Sequence, residues 1–91
     1  MKFTVVWHPS AVDQLIVLWL EAADRQAVTA AADEIDPALR EDPILRGETL
    51  VATFRILVIE PLQVVYRVRD ADRTVQILSL RRAVDDETDV E

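Results

Sequence analysis

The apolar residues of this chain repeat every three to four positions from Ala11 to Leu39 and every second position from Phe54 to Leu80, with its only glycine, Gly47, between the two blocks. The first spacing puts one stripe of a helix in the core, and the second puts one face of a strand there. A chain that changes period in this way builds helices first and a sheet afterwards. That is the α+β class, in which the helices pack together on one face of the sheet.

A strand also precedes the helical block. Phe3, Val5 and Trp7 alternate with Thr4 and Val6 from Lys2 onward, and His8-Pro9 stops the run. Ser10, with Asp13 three positions later, offers an N-cap, and Ala11 to Ala23 contains neither Gly nor Pro. The stripe Val12, Leu15, Ile16, Trp19, Leu20 and Ala23 is expected to face inward. Val17, Leu18 and Ala22 widen the apolar surface beyond one face, so this helix either lies between two elements or meets a partner. Asp24 caps a second helix, with Val28, Ala31, Ala32, Ile35 and Leu39 inward, and Pro37 predicts a kink or a restart. With almost no linker between them, the two form an antiparallel hairpin.

The strand block reads as a three-stranded antiparallel meander. Phe54 to Ile59 leads through Glu60-Pro61-Leu62 to Gln63 to Val68, and the polar turn Asp70 to Arg73 leads to Thr74 to Leu80. The order is βααβββ: a helical hairpin on one face of a mainly antiparallel four-stranded sheet. A three-residue first turn places Arg55 opposite Arg67, Ile56 opposite Tyr66 and Val58 opposite Val64. A four-residue second turn places Val68 opposite Val75, Tyr66 opposite Ile77 and Arg67 opposite Gln76. In that register the face away from the helices carries Arg55, Arg67, Gln63 and Gln76, with Arg81 and Arg82 emerging beside Gln63. Two directly opposed arginines cost up to about 1 kcal/mol unless an anion lies between them, which makes this a candidate anion-binding face. Tyr66 falls on the covered face and is read as a core tyrosine with a bonded hydroxyl.

Composition narrows the chemistry. Ninety-one residues hold one domain, placed at 1–84, and residues 85–91 are predicted to be a disordered acidic tail. Of 17 acids, five lie in those last seven positions, leaving 12 against 10 bases, so a net charge of −7 becomes about −2 for the body. That is a weak electrostatic footprint for nucleic acid, although nine of the ten bases are Arg, which suits bidentate grip of phosphate or carboxylate. With no cysteine and one histidine, His8, the chain offers no disulfide, thiolate or histidine-rich metal site, and no cofactor is expected. His8, at a strand exit, is read as structural. No apolar run nears the roughly 18 residues of a membrane span, and Met1 to Ser10 lacks the marks of a secretion signal. A cytoplasmic protein with no membrane partner is expected.

The order βααβββ and the segments Phe54-Arg55-Ile56-Leu57-Val58, Pro61-Leu62-Gln63-Val64-Val65-Tyr66-Arg67-Val68 and Val75-Gln76-Ile77-Leu78-Ser79-Leu80-Arg81-Arg82 resemble the RelE/ParE superfamily of toxins. The likeness spans roughly residues 1–83. It implies the toxin of a bacterial type II toxin–antitoxin system, often labelled plasmid stabilisation, with a cognate antitoxin as partner. RelE-like members cleave messenger RNA on the ribosome without a metal, and ParE-like members inhibit DNA gyrase. For the first activity the resemblance points to Arg55 and Arg81 or Arg82 as catalytic residues, with Arg67, Gln63 and Gln76 holding substrate. Val17 and Leu18 would meet the antitoxin. The chain departs from the nuclease pattern at Gln63, where an Arg is common, and beyond Arg82, where no Tyr follows. A gyrase inhibitor or a catalytically degenerate antitoxin-binding relative is therefore the alternative reading.

Overall fold

The computed structural model describes residues 2–51 and 53–83; the acidic segment 85–91 lies outside the described residues. The elements run β1 (Thr4–Trp7), α1 (Pro9–Glu21), α2 (Arg25–Glu41), α3 (Pro43–Arg46), β2 (Glu48–Val51), β3 (Phe54–Ile59), β4 (Leu62–Arg69) and β5 (Thr74–Arg82). The sheet has five strands in the order β1-β5-β4-β3-β2, where four were expected. The additional strand is β2, only four residues long. All neighbours are antiparallel except β1 and β5, which run parallel.

The helices begin and end on local chemistry. His8, rather than Ser10, caps α1: its Nδ1 accepts from the Ser10 backbone N–H at 3.1 Å, and Pro9 takes the first helical turn, where no N–H is needed. Asp24 caps α2 through Oδ1, which accepts from the Ala27 N–H at 3.1 Å. Pro37 lies inside α2, which runs unbroken to Glu41. The inward face of α2 is largely as the spacing predicts, with Val28, Ala31, Ile35, Ala38 and Leu39 buried.

Of the stripe expected to face inward on α1, Leu15 does so and most of the rest does not. The buried residue of the helix is Ala11, and Leu15, Leu18 and Ala22 pack against the core, while Val12, Ile16, Trp19 and Leu20 are 38–54% exposed. So much of this helix is apolar that two stripes compete, and the smaller residues let it lie close to the sheet. Trp19 is steadied from outside instead, by the Arg25 guanidinium 4.6 Å from its ring and by Nε1 donating to Thr29 Oγ1 at 3.1 Å. The core is the space between α2, α1 and one sheet face, centred on Ile35, Leu39, Val64, Tyr66, Val75 and Ile77. Trp7 Nε1, donating to Asp36 Oδ1 at 2.9 Å, ties β1 to α2.

Candidate functional site: the open face of the sheet

The turn between β3 and β4 fixes which side chains reach solvent. It holds two residues, Glu60 and Pro61, so Ile59 pairs with Leu62, Val58 with Gln63, Ile56 with Val65, Arg55 with Tyr66 and Phe54 with Arg67. Cross-strand partners share a face. Arg55 therefore points to the same side as buried Tyr66, and the expected opposition of Arg55 and Arg67 does not occur. β3 is apolar at both parities, so alternation alone could not choose, and the turn length decided.

Arg55 does structural work on the covered side. Its guanidinium donates to the backbone carbonyls of Ile44 and, at 2.7 Å, Gly47, and to Thr49 Oγ1 at 3.1 Å. Beside it the Tyr66 hydroxyl, fully buried, donates to Pro43 O at 2.6 Å. Together these bonds clamp α3 and the start of β2 to the sheet. Gly47 is required by close approach: a Cβ there would collide with the Tyr66 hydroxyl and lie 2.8 Å from Ile56 O. Burial pushes the Tyr66 hydroxyl above the usual tyrosine pKa, and the nearby Arg55 offsets part of that rise.

A bulge at Leu78 sets the other edge. β4 pairs Tyr66 with Ile77 and Val65 with Ser79, so β5 carries one extra residue. Ile77 and Leu80, three apart, can then both be buried, and the parity of everything after them changes. Arg81 falls opposite Gln63 on the open face, and Arg82 falls opposite Leu62 on the helix side. The predicted pairing of Val68 with Val75, Tyr66 with Ile77 and Arg67 with Gln76 is observed. Beyond the end of β1, the Leu80 N–H is satisfied by Gln14 Oε1 from α1 at 2.7 Å.

The open face thus brings together Arg67, Arg81, Gln63 and Gln76, and leaves Arg55 and Arg82 elsewhere. Arg81 Nε donates to Gln63 Oε1 at 2.6 Å, and Arg67 Nη2 donates to Gln76 Oε1 at 3.1 Å. Arg67 also lies 5.9 Å from the Phe54 ring, and its Nε is buried without a partner among the described residues. Gln63 and Arg67 are four residues apart along β4, roughly 13 Å. Ile56, Val58 and Val65 fill the ground between, making an apolar floor with a braced guanidinium at each end. Guanidiniums held in this way have the geometry to bond phosphate or carboxylate. Neither residue type exchanges protons readily, since arginine keeps its proton and glutamine has none to exchange.

Among the apolar hollows of the described residues, two lie against α1 and α2. One, of about 400 Å³, runs between the α1–α2 corner and the β3–β4 turn, lined by Leu18, Ala22, Val28, Pro61 and Leu62, with Arg82 and three acids, Glu21, Asp24 and Glu60, among its polar residues. The other, of about 320 Å³, lies between α1 and α2 against Ile16, Trp19 and Ala32. Val17, named as a partner contact, is half exposed, while Leu18 packs inward. No group of metal-ligating side chains occurs among the described residues, and no described helix is long and apolar enough to cross a membrane.

Several solved structures with this architecture are components of toxin–antitoxin systems. A chain of the RelBE2 complex from Mycobacterium tuberculosis superposes with a TM-score of 0.78 at 22% identity, over 93% of this chain and 95% of that one. A chain of the chromosomal ParDE system from P. aeruginosa matches with a TM-score of 0.70 at 17% identity, over 91% and 98%. The isolated E. coli RelE toxin matches at 0.66 and 13%, over 94% and 89%. The chain has the RelE/ParE toxin fold. No family model and no curated protein matches the sequence, so the likeness lies in the architecture.

Proposed function

We propose that this chain is the toxin of a type II toxin–antitoxin pair, held in check by a cognate antitoxin protein, and that it acts through the open sheet face. The observation that carries this reading is the row Gln63–Arg81 and Arg67–Gln76, two braced guanidiniums on the face that the helices leave bare. Of the two toxin mechanisms, the chemistry of this face favours gripping a protein target, as in the ParE-like reading with DNA gyrase. Cleaving RNA at the 2′-hydroxyl calls for a group to take its proton and another to protonate the leaving oxygen. Among the described residues the open face pairs its arginines with glutamines instead.

The RelE-like reading, a ribosome-dependent messenger RNA endoribonuclease, draws on one observation of its own. Arg67 and Arg81 share a face at a separation that would hold a nucleic acid backbone along the strand, with Arg81 stabilising charge at a scissile phosphate. On the helical side, the exposed stripe of Val12, Ile16, Trp19 and Leu20 with Val17 would receive the antitoxin. Expression of the chain without antitoxin, with message ends and plasmid supercoiling followed together, separates the two. Growth arrest with altered supercoiling and intact messages supports the gyrase reading. Arrest with new codon-linked 5′ ends supports the nuclease, and no arrest at good yield removes both.

A further inference from the structure

The two helices leave between them a groove that is apolar along one wall and acidic along the other. We propose that this groove takes an amphipathic helix from a partner protein, one whose apolar stripe is flanked by lysine or arginine. The inference rests on the reading of this chain as half of a toxin–antitoxin pair and assigns the chemistry of the other half: the segment of the antitoxin that binds here is basic.

Geometry defines the seat. Trp19 Nε1 donates to Thr29 Oγ1 at 3.1 Å, which fixes the register of the antiparallel helices at one end. Ile16 then stands beside Ala32 and Asp33, and these three line one hollow of about 320 Å³ with Trp19. Val12 continues the α1 wall one turn earlier, and Asp36 continues the α2 wall one turn later. Val12, Ile16 and Trp19 are all exposed, and their i, i+4, i+7 spacing is the row that one helix offers another. α1 has 13 residues, a length of roughly 20 Å, so the occupant is a helix of about four turns.

Charge selects that occupant. From Pro9 to Asp42 the chain has eight acids against two bases, Arg25 and Arg40, whereas from Glu48 to Arg82 it has four acids against six arginines. The helical layer thus carries −6 and the strands +2. Neither Asp33 nor Asp36 has an ion pair among the described residues. Arg25, at the Trp19 end of the groove, is held by the carbonyls of Trp19 and Leu20 at 3.1 and 3.0 Å, and Arg40 lies a turn beyond Asp36 at the other end. Such a wall repels nucleic acid and anionic lipid. A symmetric contact with a second copy would set the same acids against each other. A basic amphipathic helix complements both walls, covering the α1 row and meeting the carboxylates of α2.

The test uses the full chain, isotope-labelled for amide spectra, and three synthetic peptides of about 14 residues, near four turns. One has leucine at i, i+3, i+4 and i+7 with lysine elsewhere, one has glutamate in place of lysine, and one scrambles the order of the first. The leucine–lysine helix is expected to move the amide signals of Ile16, Trp19, Thr29 and Asp33 and to bind about tenfold tighter than either control. Asp33→Lys, at an exposed position, should weaken it roughly fivefold, and Ile16→Ser should weaken it as well. Equal binding of the scrambled peptide would overturn the groove, and equal binding of the glutamate helix would overturn the basic partner. Signals that move around Gln63, Arg67 and Gln76 instead, or no movement with any peptide, would overturn the proposal. So would groove signals that move with protein concentration alone, by showing that a second copy sits there. Growth is not measured, so a negative result here is distinct from the absence of arrest on induction.

Discussion

Replacing Arg55 by alanine separates a structural arginine from a working one. Arg55 anchors Ile44 O, Gly47 O and Thr49 Oγ1, and so ties α3 and β2 to the sheet. A hydrogen bond from a charged donor contributes about 1.5–3 kcal/mol. The bonds to Ile44 and Thr49 are exposed and count for less, and the half-buried one to Gly47 dominates. A loss of about 2 kcal/mol follows, and for a domain of this size each kcal/mol moves the midpoint by roughly 4–8 °C. Thermal and urea unfolding of Arg55→Ala should therefore show a melting point lower by roughly 8–16 °C with an unchanged denaturant slope. Arg67→Ala, which removes one bond to Gln76, should cost about 1 kcal/mol or less. An Arg55→Ala protein that melts like the parent would refute the clamp and return Arg55 to the functional candidates.

Gly47→Ala must push a methyl group into the Tyr66 hydroxyl and Ile56 O, and should destabilise by about 1–3 kcal/mol in denaturant titration. Tyr66 is the chain's only tyrosine, so tyrosinate absorbance reports on it alone. Burial raises its folded pKa above the unfolded value of about 10. The sign then follows from linkage: this stabilisation is complete below pH about 10 and is lost as pH rises through the folded value, a fall that Tyr66→Phe should flatten. On the helical side, Ile16→Asp with Leu20→Asp, both about half exposed, should leave melting nearly unchanged and abolish co-purification with the antitoxin proposed for this chain.

The period change at Gly47 was enough to reveal the layered α+β plan, because a 3.6-residue stripe and a two-residue alternation bury surface in only one way each. The second turn was equally legible: Asp70 to Arg73 is polar and of definite length, and the pairing of Arg67 with Gln76 followed from it. Three features were hidden for physical reasons. β3 is apolar at every position but Arg55, so a one-residue difference in turn length reversed the faces of Phe54 to Ile59. α1 carries more apolar residues than one face can bury, so the stripe turned to solvent could not be told from the one turned inward. β2 is a four-residue edge strand, held by the clamp from Arg55 more than by its own pattern. The bulge had a readable trace in the spacing of Ile77 and Leu80, which breaks the alternation. That trace separates Arg81 from Arg82 and leaves Arg67 and Arg81 as the arginines of that cluster on the open face.

The most direct test of this account is growth after induction of the chain without antitoxin, comparing the parent with Arg67→Ala/Arg81→Ala at matched soluble levels. The expected result is arrest by the parent, no arrest by the double variant, and arrest retained in Arg82→Ala, whose side chain lies on the helix side. Arrest that survives loss of Arg67 and Arg81 together would contradict this reading.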